Sequence, residues 1–349
     1  MRKVHCFKVF SLERRESRPA ANFMAKLEQD PAPVVVSQSM GELRGDKTRK
    51  KYRDPQQISP VVNIIISVFL AILAFMCVFP FIYVIIISFT SEESIVRNGF
   101  QLFPKEWSTD AYLYLWSMKE RLFRSYGVTI LVTILGTIIS VLMITFYAYA
   151  ISRPQFKYRK FFTFLAFFTM LFSGGLVPTY IIVTQFLGLK NTIWALILPL
   201  ALNAFYIIIM RTFFLKSVSE SILESARIDG ASEWRIFFQI IFPLSLPGIA
   251  TIALFSTLGY WNDWFTALLY IDNPNLVPLQ ALLMKIEANL EFMRQNLDVG
   301  SIQQSLFDTI PQESAKMAMV VIATLPIAVS YPFFQKYFIS GLTIGGVKE

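Results

Sequence analysis

A single histidine and two cysteines among 349 residues leave this chain almost without soft metal ligands or nucleophiles. His5 and Cys6 stand near the amino terminus and Cys77 sits inside an apolar run, too few and too scattered to form a metal set. With no histidine beyond position 5, acid–base or zinc chemistry built on histidine is excluded from the hydrophobic body, which argues against an intramembrane enzyme. A GxxxxGK(S/T) loop is missing, so the chain carries no P-loop for ATP. Charged residues make up only 16% against 54% hydrophobic, far from the balance of a soluble globular domain. Carboxylates are almost missing from the apolar runs, which argues against an ion-coupled secondary transporter, whose relays need buried Asp, Glu or His. The net charge of +8 lies partly in the amino-terminal tail and comes with no RNA or DNA motif, so it fits anionic lipid rather than nucleic acid.

What the chain does have is apolar length. Charge-free runs cover residues 58–91, 125–152, 161–189, 191–210, 236–262 and 317–335. Each approaches or exceeds the ~20 residues that carry a helix across ~30 Å of hydrocarbon, so the expected fold is all-α and polytopic with about six transmembrane helices. Lys47, Arg49, Lys50, Lys51 and Arg53 precede the first run, and Arg153, Lys157, Arg159 and Lys160 fill the connection after the second. The segment from Asp272 to Glu313 is acidic on balance through Asp272, Glu287, Glu291, Asp298, Asp308 and Glu313. By the excess of Lys and Arg in cytoplasmic loops, both termini are expected in the cytoplasm. The first outer connection departs from this pattern, with Lys119, Arg121 and Arg124 offset by Glu120 and Asp110.

Residues 1–57 show no sustained period and no signal-peptide core, and read as a mostly disordered cytoplasmic tail. Residues 58–340 form the membrane domain and 341–349 a short cytoplasmic tail. In the outer connection at 91–124, Pro104, Trp107, Tyr112, Tyr114 and Trp116 suit an interfacial aromatic belt. The outer loop at about 272–316 contains an amphipathic helix over 279–290 and an Asn- and Gln-rich stretch after Met293; it reads either as a docking surface or as a membrane-surface cap.

Between the fourth and fifth runs lies a charged segment of soluble character. Ser217 and Glu220 have the spacing of a capping box, so a short helix is expected to begin near Val218. Gly230 supplies the left-handed turn that ends it, and Ser232 caps a second. Ile222, Leu223 and Ala226 are expected on one side, with Glu224 and Arg227 accessible. Pro243 and Pro247 each remove a backbone hydrogen bond early in the fifth span, giving either a gate or a static bend. Tyr260, Trp261, Asn262, Asp263 and Trp264 follow, a group suited to stacking on sugar rings and bonding hydroxyls, or to anchoring a helix end at the interface. Asp263 is an acidic residue that directly follows the charge-free run 236–262. Thr184, Gln185 and Asn203 read as interhelical hydrogen bonders.

Glu224, Ala226, Asp229, Gly230 and Pro243-Leu244 resemble the EAA loop of ATP-binding-cassette import permeases, with Ser225 where the second residue is usually Ala. Phe172-Ser-Gly174-Gly175-Leu-Val-Pro178-Thr179-Tyr180, Trp194 to Pro199 and Met210-Arg211 are similar to the branch serving complex carbohydrates, including acidic oligosaccharides such as aldouronates. The closing stretch, Tyr331 to Lys348, is similar to the tail of the second permease of maltose-type importers, with Lys348-Glu349 in place of the usual Lys-Gly ending.

This resemblance implies a type I importer permease fold in a bacterial plasma (inner) membrane. It implies a multi-pass transport subunit rather than an enzyme, binding no cofactor of its own, with ATP and Mg on partner subunits. The implied partners are a second permease, two ATP-binding cassette subunits, an extracytoplasmic solute-binding protein and an oligosaccharide substrate. The coupling residues become Glu224, Ser225, Ala226, Asp229, Gly230 and Ala231. Glu224 would meet a basic partner or backbone amides, and Asp229 would hold the turn through its side chain. The family's Trp-Asn-acidic element matches Trp261-Asn262-Asp263. Such permeases begin shortly before their first span, so translation is expected from Met24 or Met40 as an alternative to Met1. Polyols, amino acids or phosphate remain the other cargoes.

Overall fold

The structure, a computed structural model, describes residues 59–295 and 311–346. The tail with its alternative starts, most of the Asn- and Gln-rich outer stretch and residues 347–349 lie outside that range. The chain divides into two units, 1–68 and 69–349. Of the first, the described residues are Ser59 and the opening turns of helix α1 (Pro60–Ser88).

Among the described residues the regular structure is helical, apart from an isolated antiparallel bridge between Thr90 and Trp107. Two short helices, α2 (Glu92–Asn98) and α3 (Asp110–Ser117), lead into α4 (Lys119–Ser152). Then come α5 (Arg159–Leu171), α6 (Leu176–Ile181), α7 (Ile193–Ile197), α8 (Ala204–Ser217), α9 (Glu220–Ile228) and α10 (Glu233–Ile236). The rest are α11 (Phe242–Leu244), α12 (Leu246–Trp261), α13 (Phe265–Tyr270), α14 (Leu279–Gln295) and α15 (Gln312–Gly346).

Three helices are long and apolar enough to cross a bilayer unaided: α1, α4 and the Gln312–Pro332 part of α15. Among the described residues three bent helix pairs are long and apolar enough only when taken together: Arg159–Leu171 with Leu176–Phe186 at 115°, Ile193–Leu200 with Ala204–Ser217 at 52°, and Glu233–Leu244 with Leu246–Trp261 at 79°. Counted with each bent pair as one span, the described helices give the six spans expected from the apolar runs, three continuous and three broken.

Each break has a local cause. Between α5 and α6 the chain passes Ser173-Gly174-Gly175, with Gly175 at φ +88°. At the second break Asn203 takes the N-cap of α8, its Oδ1 accepting the N–H of Phe205 at 2.9 Å. Asn203 is thus a cap and not the interhelical bonder its position suggested. Thr184 likewise bonds within its own helix, its hydroxyl donating to the Tyr180 carbonyl at 2.7 Å. At the third break Ser245 leaves helical geometry, with φ −102° and ψ 8°.

The long α4 organises the bundle. Its 34 residues span about 51 Å at ~1.5 Å each, and it packs along α8 and α12. The buried stripe Ser125, Thr129, Val132, Gly136, Ser140, Ile144 and Ala148 recurs every three to four positions and is mostly small, which allows close approach without a hydrophobic drive between lipid-bathed helices. A Cβ on Gly136 would lie 2.6 Å from the Tyr260 ring of α12. Thr137 Oγ1 meets Thr257 Oγ1 at 3.1 Å, and the Tyr260 hydroxyl lies 3.0 Å from Ser140 Oγ while donating to the Ile197 carbonyl at 2.9 Å.

Opposite ends of α4 carry separate apolar cores. At one end, Leu279, Leu283, Ile286 and Leu290 of α14 are buried with Leu115, Leu122, Ala315, Ala318 and Met319. This bears out the amphipathic helix expected at 279–290, which continues to Gln295. At the other end, Ile144, Ala148 and Ile151 are buried with Phe214, Leu223, Ile236, Phe237 and Ile241.

Candidate functional site

The charged segment folds at the end of α4 marked by Tyr149 to Ser152. Helix α8 runs through Ser217, so Ser217 is the last residue of that helix and caps nothing; α9 starts two residues later than expected, with Ser219 at its N-cap. The Ser219 hydroxyl meets Ser221 Oγ at 2.7 Å and accepts no backbone N–H, so the capping box does not form.

The hinge forms as the glycine demands. Gly230 has φ +79°, its N–H donates to the Arg227 carbonyl at 3.0 Å, and the Ala231 N–H donates to the Ala226 carbonyl at 3.0 Å. These paired bonds close the last turn of α9 around a left-handed residue. Asp229 makes no side-chain hydrogen bond among the described residues: the turn is held by backbone, not by the carboxylate. Ser232 then caps α10, its hydroxyl oxygen accepting the Arg235 N–H at 3.4 Å.

A side chain that the sequence pattern did not single out, Glu233, pins this hinge to the bundle. Glu233 Oε1 accepts from Arg227 Nε at 2.9 Å, bridging the two short helices, and Oε2 accepts from the Tyr149 hydroxyl of α4 at 2.7 Å. Arg153 is 7% exposed, donates from Nε to Ser152 Oγ at 2.9 Å and lies over the Tyr149 ring at 5.2 Å. The signal for the first tie was present as opposite charges on either side of the glycine, but a charge pair across a hinge becomes a contact only once the turn's sense is known.

Leu223 is 1% exposed and Ala226 half-buried against the same core, so α9 is anchored by its apolar side. Ile222, expected beside them, is exposed at 46%, since successive helical residues lie ~100° apart. Arg227, expected to be accessible, is half-buried and engaged with Glu233. Facing outward are Ile222, Glu224, Ile228, Asp229 and Trp234, with Ile228 at 86% and Trp234 at 67% exposure. Ser225 is exposed and donates to the Ser221 carbonyl at 2.9 Å.

Pro243 and Pro247 flank the 79° break. Pro243 lies in the first turn of the three-residue α11 and Pro247 in the first turn of α12, where the missing N–H is not required, so the span is interrupted at Ser245 rather than kinked at each proline. Ser245 is fully buried, and its hydroxyl oxygen has no partner.

At the far end of α12, Tyr260 and Trp261 are 4% and 7% exposed. Trp261 donates from Nε1 to the Ala323 carbonyl at 3.1 Å, so both aromatics tie α12 to its neighbours. Asn262 is exposed and donates to the Leu258 carbonyl at 3.0 Å, while Asp263 Oδ1 accepts the Thr266 N–H at 3.1 Å at the start of α13. Trp264 is exposed beside Phe265. Among the described residues no cluster of His, Cys, Asp and Glu could hold a metal ion.

Residues 150–344, more than half of the chain, match the family described as binding-protein-dependent transport system inner membrane component. The chain is 42% identical over 287 residues to the polygalacturonan/rhamnogalacturonan transport system permease protein YtcP of Bacillus subtilis, covering 82% of this chain and 98% of that protein. It is 28% identical to the arabinooligosaccharides transport system permease protein AraQ of Halalkalibacterium halodurans, over 84% and 99% of the two chains. Among solved structures, a chain of a bacterial ABC transporter involved in the import of the acidic polysaccharide alginate superposes with a TM-score of 0.67 at 30% identity, over 81% of this chain and 99% of that one.

Proposed function

Since the chain belongs to the family of inner membrane components of binding-protein-dependent transport systems, we propose that it passes carbohydrates, acidic oligosaccharides foremost, through a bundle moved by separate ATPase subunits. It is a multi-pass transport subunit of an ATP-binding-cassette importer and not an enzyme.

The observation that carries the mechanism is the hinge and its two attachments. Ile222, Ile228 and Trp234 are exposed around Glu224 and Asp229, and large apolar side chains beside charged ones on one short hinge suit a surface that another protein covers. Glu224, Ser225, Ala226, Asp229, Gly230 and Ala231 are the coupling residues in this reading, with the ATPase as partner. Leu223, and the Arg227–Glu233–Tyr149 chain of hydrogen bonds, join that surface to α4. A push on α9 therefore reaches a helix that runs the depth of the membrane.

The broken fifth span supplies compliance. Its interruption at Ser245 between Pro243 and Pro247 lets the cytoplasmic half follow α9 while α12 stays packed on α4, and this is the gate of the alternating-access cycle. Asn262, Asp263 and Trp264, which are less buried than Tyr260 and Trp261, are the members of that group available to the sugar pathway. Both termini are cytoplasmic in this reading, which places the hinge on the ATP side. A second permease in a heterodimer, two ATPase copies and an extracytoplasmic binding protein complete the machine.

The carbohydrate assignment draws on the relatives named for pectic, arabinose-containing and alginate saccharides. It is tested by uptake and ATPase stimulation in the reconstituted complex across neutral and uronic-acid oligosaccharides. Stimulation by saccharides is expected; stimulation by amino acids, polyols or phosphate alone would overturn it.

A further inference from the structure

At the end of α4 remote from the hinge, a cavity of about 570 Å³ opens between the start of α4, the turn after α13 and helix α14. That volume falls within the ~300–1,000 Å³ of small-molecule sites. Its wall carries three cations, Arg121, Arg124 and Lys285, and a single carboxylate, Asp272. Asp272 is already engaged: its Oδ2 lies 2.8 Å from Lys190 Nζ, and that ammonium holds its carboxyl below the usual range. Arg124 donates from Nη1 to the amide oxygen of Asn275, a neutral partner. Arg121 and Lys285 make no ion pair among the described residues. Tyr114 and Asn289 add a phenol and a carboxamide to the same wall.

This cavity is the basic exception in an otherwise acidic outer region, the feature that made the first outer connection depart from the charge pattern. We propose that it is a subsite for the carboxylates of an acidic saccharide, occupied as the cargo leaves the binding protein and before it enters the pathway beside α12. The proposal rests on the carbohydrate reading above and adds to it the residues that select charge. Guanidinium groups present forked N–H donors that match a carboxylate, and Asn and Tyr bond the hydroxyls that a sugar ring presents beside it. A concave wall of this kind suits a small anion. An acidic protein surface laid across it would meet Glu287, exposed on the same helix α14.

The cationic side chains are exposed, so water and salt weaken the attraction. Weak capture is what a relay requires, because a site along a pathway must release its cargo as readily as it gathers it.

The test uses the complete reconstituted transporter with its binding protein, and compares uptake of trigalacturonate with uptake of its methyl ester, which has the same length and no charge. In the Arg121→Gln/Arg124→Gln variant the ratio of KM for trigalacturonate to KM for the ester should rise about tenfold, the effect of losing ~1.4 kcal/mol of charge-assisted binding. Lys285→Glu, a single change at an exposed position, should move the ratio in the same direction. An unchanged ratio overturns the proposal, and so does an equal rise in KM for both saccharides, which would assign the cations to docking of the binding protein. Uptake of neutral oligosaccharides but of neither galacturonate by the unaltered transporter would overturn this subsite alone, and uptake of no saccharide at all would overturn the carbohydrate reading with it.

Discussion

The carboxylate of Glu92 caps the helix that begins just before Ser314: Oε1 accepts the Glu313 N–H at 3.0 Å, and Oε2 accepts the Ser314 N–H at 3.1 Å and its hydroxyl at 2.9 Å. One side chain from the connection between α1 and α4 thus satisfies two of the orphan donors at the start of α15, where the helix dipole also favours negative charge. Glu92→Ala should destabilise the solubilised protein by about 1–2 kcal/mol, and Glu92→Gln, which keeps one accepting oxygen, by less. Thermal unfolding of the two variants checks the order; equal stability of all three proteins would remove the cap from the account.

At Gly230 the cost of substitution is conformational and not steric, since an added Cβ would meet nothing within 4 Å while φ is +79°. Gly230→Ala should therefore cost about 1–2 kcal/mol locally, and Gly230→Asn distinctly less, because Asn tolerates the left-handed region. Gly230→Val should lower transport per ATP hydrolysed while leaving the protein inserted in the membrane. Side-by-side uptake and ATPase rates decide this; normal coupling in the valine variant would show that α9 does not depend on the hinge.

Tyr149, Glu233 and Arg227 form a linked pair of hydrogen bonds between α4 and the hinge. A double-mutant cycle on Tyr149→Phe and Glu233→Gln should give a coupling energy of about 0.5–1 kcal/mol, modest because Glu233 is largely solvent-facing. The single variants should also reduce the transport-to-hydrolysis ratio together, since either one breaks the same link. Additive effects on both stability and coupling would mean that the link transmits nothing.

Gly136 faces the Tyr260 ring, where a Cβ would come within 2.6 Å. Tyr260 is buried and held by Ser140 and the Ile197 carbonyl, so it has little room to move aside. Gly136→Ala should cost about 1–3 kcal/mol by overpacking α4 against α12, and the further change Tyr260→Phe should not rescue it, because the ring remains. Recovery with Tyr260→Ala, measured by thermal unfolding of the purified complex, would confirm the clash.

The apolar runs revealed where the chain lies in the bilayer, because burial in hydrocarbon leaves its mark on every residue of a span. They did not reveal the breaks. A run of uncharged residues looks the same whether the helix passes straight through or turns at Gly174-Gly175 or at Ser245, and only the backbone distinguishes them. The hinge was legible at Gly230 and Ser232, whose chemistry is local. It was misread at Ser217, which belongs to the preceding helix, at Asp229, whose turn the backbone closes unaided, and at Ile222, which faces away from the core. Contacts between residues far apart in sequence, such as Glu92 with Ser314, Tyr149 with Glu233 and Gly136 with Tyr260, leave no pattern in a single chain. Trp261 illustrates the same limit: a motif suited to sugars holds an indole that donates to Ala323.

The most direct measurement of the central claim places a photoreactive amino acid at Ile228, which is 86% exposed on the hinge. In membrane vesicles containing the assembled transporter, irradiation should join this chain to the ATPase subunit, with a yield that changes when ATP is added. No crosslink to the ATPase, or reaction of a cysteine at the same position only with an impermeant reagent supplied from the external side, would contradict the account.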